Sequence, residues 1–191
     1  MTLDLTSSDA LLVVDYQLCF CPGGTLPVPE GDRLVGVINR WIDRITRAGG
    51  TVAASRDRHP PDHISFRQRG GPWPPHCVRD TDETRFHPDL RLPSDAIIIT
   101  KGQAEDYDQY SAFDRTDLAD LLRERNVSRV WIAGLAMDVC VKATALDAVD
   151  AGFETHVLLD ATRPTTGEAG DKALESIRRA GVIIEENHAR A

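Results

Sequence analysis

Short, unbroken apolar runs recur along this chain, and most of them stop at a charged or reactive residue. Ala10 to Val14 stops at Asp15, Thr51 to Ser55 at Arg56-Asp57, and Ala96 to Thr100 at Lys101. Val130 to Ala133 is broken by Gly134, and Cys140 follows soon after. Glu154 to Leu159 stops at Asp160, and Val182 to Ile184 is a last short run. Runs of this length and continuity read as strands buried on both faces. Between them the period changes to that of helices. Leu34, Ile38, Trp41, Ile42 and Ile45 share one face before Gly49-Gly50. Asp117 to Arg125, Asp138 to Ala151 and Glu168 to Ala180 supply further helices. Strands alternating with helices predict an α/β fold, a three-layer α/β/α sandwich around a central, mostly parallel sheet.

The 191 residues suit a single domain over residues 1–191. Two stretches resist the alternation. Tyr16 to Glu30 is a Gly- and Pro-rich loop, and residues 57–93 form a longer insertion rich in Pro, Gly, His and Arg. An aperiodic stretch that long inside a compact domain is usually functional. The net charge of −8, with no basic stripe, argues against nucleic acid as a partner. No apolar run approaches a membrane span, and the first residues lack a basic leader, so a cytoplasmic protein is expected. Four cysteines, Cys19, Cys21, Cys77 and Cys140, are too few and scattered for a disulfide framework, and a reducing compartment fits them.

Ligands of open parallel sheets bind beyond the carboxyl ends of the strands. Asp15, Asp57, Lys101 and Cys140 all fall at that edge. Cys140 opens a helix, where free N–H groups and the helix dipole are expected to ease loss of the thiol proton. Asp15 is a base for that proton, and Lys101 steadies both anions. The alternative reading of the same residues is a structural salt bridge on the sheet rim. Asp57 and His59, two apart, point the same way along an extended segment, and His76 arrives from the far part of the insertion. One carboxylate and two imidazoles suit one divalent metal, Zn²⁺ first, with Fe²⁺ and Mn²⁺ also acceptable. His63 is a candidate for a further ligand, although solvated loop positions are the commoner fate of His63, His87 and His188. Phe20 and Trp73 offer flat walls for an aromatic substrate, whereas Tyr107 reads as loop packing.

These segments resemble the nicotinamidases of the isochorismatase-like cysteine hydrolase superfamily. The matching stretches are L-L-V-V-D15-Y-Q, F20-C-P-G-G, S-R-D57-R-H59-P-P-D-H, G-P-W73-P-P-H76-C-V, K101-G, Y-S-A-F and G-L-A136-M-D-V-C140-V-K. The resemblance implies hydrolysis of nicotinamide to nicotinate and ammonia through a Cys140 thioester, serving NAD salvage, with pyrazinamide as a second substrate. It implies Asp15, Lys101 and Cys140 as catalytic residues and the backbone N–H groups of Ala136 and Cys140 as the oxyanion hole. It further implies a non-proline cis peptide between Leu135 and Ala136, and Phe20, Trp73 and Leu135 as substrate contacts. Asp57, His59 and His76 would hold the metal, with Ser65 or Gln68 at the position where some members place an extra carboxylate. Relatives are often oligomers, so a homo-oligomer is a further expectation. The chain departs from the pattern at Leu18 and Cys19, where Asn-Asp is common, and at Met137 and Val139. Leu18 and Met137 are expected to reshape the pocket. Two rival readings are a related amidase acting on another small amide or carbamoyl compound, and a non-catalytic metal-binding relative.

Overall fold

The computed structural model describes residues 4–186. The apolar runs become β1 (Asp9–Val14), β2 (Thr51–Asp57), β3 (Ile97–Lys101), β4 (Arg129–Leu135), β5 (Glu154–Arg163) and β6 (Ile183–Glu185). They form one sheet in the order β3-β2-β1-β4-β5-β6, and every neighbouring pair is parallel. The connecting helices are α1 (Val35–Arg47), α2 (Leu118–Glu124), α3 (Lys142–Asp150) and α4 (Gly167–Arg179). Among the described residues no helix is long and apolar enough to cross a membrane.

Alternation along β1 builds the two cores. Leu11 and Val13 join Trp41, Ile45 and Trp131 under α1, while Ala10, Leu12 and Val14 join Leu118, Ala145, Ala148 and Ile177 on the face covered by the other helices. Successive strand side chains point to opposite faces, so a strand apolar at every position feeds both layers at once. Chain order reverses direction across the sheet between β1 and β4, and that switch point opens a crevice at the carboxyl edge.

The structure extends two strands beyond their apolar runs. β4 continues through Gly134 to Leu135 rather than breaking at the glycine. Gly134 is required for contact, because a Cβ there would lie 2.0 Å from the Val14 carbonyl oxygen, and its φ of 116° belongs to the left-handed half of conformational space. β5 runs on to Arg163 across an irregularity in its pairing with β4. The helix expected from Asp138 begins instead with a wide π turn over Met137–Val141 before α3, a feature common at functional sites. His188 lies outside the described residues.

The cysteine expectation is corrected. Cys19 and Cys77 form a disulfide with a Cα–Cα distance of 5.6 Å across 58 residues of sequence, leaving Cys21 and Cys140 free. Spacing along the chain carries no sign of this pairing, because two aperiodic loops bring the residues together.

Candidate active site

Asp15 directly follows β1 with φ at 46°, a left-handed conformation for a residue with a side chain. Such strain concentrates at functional positions. Lys101, at the end of β3, is fully buried and lies 2.9 Å from Asp15 Oδ2, 2.6 Å from Asp57 Oδ1 and 3.5 Å from Cys140 Sγ. Asp15 Oδ1 accepts from Ser55 Oγ at 2.7 Å, while Oδ2 takes no well-directed hydrogen bond. That oxygen sits in the group of Asp15, Asp57 and Cys140, whose reactive atoms lie within 4.8 Å of one another.

Burial sets the proton affinities here. It raises Asp15 above the ordinary carboxylate range despite the opposing pull of Lys101. Burial also pushes the Cys140 thiol well above its ordinary value, with Lys101 acting the other way. The expectation of an easily ionised Cys140 is therefore corrected: removal from water outweighs the helix terminus, and the resting pair is a thiol beside a carboxylate of raised proton affinity. Burial disfavours charge on Lys101 too, but Asp15 and Asp57 more than compensate, so it remains an ammonium.

Next to this group stands the second cluster. Ligand atoms of Asp57, His59 and His76, all buried, lie within 4.8 Å of one another. His59 Nδ1 is 2.9 Å from the Gly102 carbonyl and His76 Nδ1 is 2.8 Å from the Pro74 carbonyl. When each Nδ1–H donates to its carbonyl, each Nε2 keeps its lone pair for a cation. Asp57 Oδ2 stands 3.6 Å from His59 Nε2, too long for a hydrogen bond and suited to two ligands sharing an ion. Burial lowers His76, favouring the neutral imidazole a metal needs. Although burial opposes charge on Asp57, Lys101 and His59 hold its carboxyl well below the usual range. The residues present fit a divalent metal.

The remaining candidates separate clearly. His63 is buried rather than solvated, with its ring nitrogens 2.7 Å from Ser65 Oγ and 3.0 Å from the Tyr107 carbonyl. Gln68 is exposed and reaches the Pro61 carbonyl. His63 does not join the cluster of Asp57, His59 and His76, and Ser65, besides its bond to His63, lines the shared cavity. His87 is half-buried against Tyr16, with ring centroids 5.3 Å apart. Tyr107 packs in its loop under Arg115.

A cavity of about 140 Å³ joins the two clusters, and Phe20, Trp73, Asp57, His59, His76, Ala136 and Cys140 all line it. The Leu135–Ala136 peptide is cis. Leu135 itself lies in the core beneath Gly31 and does not line the cavity. Neither do Leu18, Cys19 and Met137; Met137 faces Pro164 and Gly170 of the α4 side. The expectation that Leu18 and Met137 reshape the pocket is not met at its lining, since neither residue lines it. Val139 does line it.

Sequence reasoning missed several residues. Gln17 grips the Asp57 backbone, accepting from Asp57 N at 2.7 Å and donating to its carbonyl at 2.9 Å. Tyr110 accepts from Trp73 Nε1 at 3.1 Å. Thr165 is held to Asp138 and lines the cavity with Leu26, Val28, Asp108 and Gln109. Only Gln17 and Tyr110 left a trace, inside the D15-Y-Q and Y-S-A-F segments.

Residues 9–188 match the model of the isochorismatase domain. The chain belongs to the isochorismatase family. Within it, the chain is 38% identical to the nicotinamidase of Escherichia coli K12 over 185 residues, covering 86% of this chain and 87% of that protein. Among solved structures it superposes on the pyrazinamidase of Pyrococcus horikoshii in complex with zinc, with a TM-score of 0.90 and 47% identity over 94% of this chain and 99% of that one. The PnC1 protein of L. infantum in complex with nicotinate gives a TM-score of 0.89 and 35% identity over 97% of each chain. This isochorismatase-family chain is a hydrolase of the amide C–N bond.

Proposed function

We propose that this family member, as a single catalytic domain over residues 1–191, hydrolyses nicotinamide to nicotinate and ammonia through a thioester on Cys140, and accepts pyrazinamide as well. The carrying observation is the shared cavity: a buried thiol, base and ammonium open onto the same aromatic-walled space as three buried metal ligands. Its volume suits one small ring rather than a polymer.

Phe20 and Trp73 flank the substrate ring, and the carboxamide carbon faces Cys140 Sγ. Asp15 Oδ2 takes the thiol proton as sulfur attacks, so charge never has to reside on an isolated thiolate in a dry site. The backbone N–H groups of Ala136 and Cys140 receive the oxyanion. Asp15 returns its proton to the departing nitrogen and ammonia leaves. It then takes a proton from the water that opens the thioester and passes it to the Cys140 sulfur as that leaves, which restores the thiol and releases the acid. Lys101 stays charged throughout and holds Asp15 in reach. Asp57, His59 and His76 would hold a divalent ion, which would supply Lewis-acid character for orienting the ring. Zinc is favoured by the donor set and by the zinc held in the Pyrococcus horikoshii relative. A role in NAD salvage and the cytoplasmic setting belong to this proposal.

Ammonia release from nicotinamide by zinc-loaded protein tests it, with Cys140→Ala as the blank. Turnover that vanishes in the variant is expected. Turnover that survives in it overturns the covalent route, and turnover restricted to aliphatic amides overturns the substrate.

A further inference from the structure

We propose that the Cys19–Cys77 disulfide is a positioning device that joins the substrate wall to the metal ligands, so that its reduction loosens both. The inference rests on the metal-site reading of Asp57, His59 and His76.

Each cysteine is fully buried and sits one residue from a working side chain: Cys19 precedes Phe20, and Cys77 follows His76. The Cys19 carbonyl accepts from Leu26 N at 3.0 Å, and the Phe20 carbonyl from Val28 N at 2.9 Å. The Cys19 side therefore carries three cavity-lining residues, Phe20, Leu26 and Val28. On the other side the Cys77 carbonyl accepts from His59 N at 2.9 Å, and Arg79 N returns a bond to the His59 carbonyl at 2.8 Å. Thus Cys77 is tied to His59 by backbone and to His76 by sequence.

Hydrogen bonds also tie the insertion to its surroundings, among them Leu18 N to the Arg85 carbonyl at 3.0 Å, His87 N to the Tyr16 carbonyl at 2.9 Å and Gln17 Nε2 to the Thr84 carbonyl at 2.9 Å, but the disulfide is the covalent tie. Between β2 and β3 the chain forms no strand of the sheet and has only isolated bridges, His59 with Val78 and Phe66 with Trp73, besides Gln17 with Phe86. A covalent cross-link in such a segment removes conformations that hydrogen bonds alone leave open. The Cα atoms are 5.6 Å apart, inside the usual range for a bridge without backbone movement. The bond also accounts for Cys19, a departure from the family pattern that the catalytic reading leaves unused.

Reduction by a phosphine is balanced as disulfide plus phosphine plus water giving two thiols plus phosphine oxide. The experiment compares three samples of the full chain: untreated, phosphine-treated, and the double variant Cys19→Ser with Cys77→Ser. Thiols are counted after unfolding without reductant. Zinc affinity is measured by chelator competition, and KM and kcat with nicotinamide. The expected result is two free thiols in the untreated protein. Zinc affinity should fall roughly tenfold in both altered samples, the scale seen when supporting groups around a metal are lost, with KM raised and kcat within about twofold. A merely structural staple would lower the melting temperature and leave zinc affinity and KM alone. If the phosphine fails to reach the buried bond, the double variant carries the comparison. Four free thiols in the untreated protein overturn the proposal. Equal zinc affinity across folded samples overturns it while leaving the metal site standing. No zinc binding by the untreated protein overturns both.

Discussion

Two buried aspartates stand at opposite ends of β1, and each is paired with a cation. Asp9, at the amino end, is saturated: it accepts from Thr6 N at 2.7 Å, Thr6 Oγ1 at 3.0 Å, Trp131 Nε1 at 2.7 Å and Arg129 Nη2 at 3.0 Å. Although burial opposes its charge, those donors hold its carboxyl down to about 2. Asp15, at the carboxyl end, has one oxygen bonded to Ser55 and the other left without a directed donor, and burial raises it. A carboxylate given every donor it can use is fixed in one charge state and serves the fold. One left short of donors can gain and lose a proton, and serves chemistry. The sheet builds both from the same residue type, and the difference lies in what the neighbouring strands and loops donate.

The largest effect should come from removing the proton site at the active end. Asp15→Asn keeps the shape, and Lys101 still has Asp57 at 2.6 Å, so the fold should hold. Nicotinamide turnover should nevertheless fall on the order of 10⁴-fold, the upper range for losing an acid-base group. Steady-state kinetics with a thermal melt on the same sample checks this. A variant within tenfold of the parent would erase the contrast between the two aspartates. Next comes the cation. Lys101→Met leaves Asp15 and Asp57 buried without their shared ammonium, and breaking such a pair costs about 3–5 kcal/mol. Urea unfolding should register that loss, together with inactivity. Arg129, whose side chain is 27% exposed, should cost clearly less when changed to Met, because water can solvate what remains.

How far this contrast was readable from the sequence depends on what each feature needs. The placement of Asp15, Asp57 and Lys101 at one edge was legible because a residue at the carboxyl end of a parallel strand is placed by the strand itself, and that of Cys140 because the helical turn after β4 starts at the same edge. The clustering of Asp57, His59 and His76 was legible because Asp57 and His59 share one extended segment and His76 lies in a distinctive motif. The acidity of Cys140 was misjudged since a helix terminus can be read from sequence but full burial cannot. The Cys19–Cys77 pairing and the grip of Gln17 on Asp57 depend on loops without periodicity, where sequence gives no geometry. Asp9 went unremarked for a related reason: its partners Arg129 and Trp131 lie 120 and 122 residues away.

At the structural end, Asp9→Asn should reverse the Asp15 result. The amide cannot accept from all the donors now aimed at the carboxylate, and stability should fall by about 1–3 kcal/mol, with kcat retained because the site lies at the other edge of the sheet. Acid sharpens the test. The folded-state value of Asp9, about 2, lies below its ordinary value of 3.8. Its stabilisation is therefore present in full above about pH 4 and is lost as the pH falls toward 2. Asp15 has the opposite sign: its folded value is raised, so the folded state binds the proton more tightly and stability gains as the pH drops. Urea midpoints measured from pH 5 down to pH 2 should thus decline less steeply in Asp9→Asn than in the parent, while Asp15→Asn should decline at least as steeply. Parallel curves for the parent and Asp9→Asn would mean that the Asp9 carboxylate is no better held in the fold than in the unfolded chain, and the distinction between a saturated and an unsaturated aspartate would fail at its structural end.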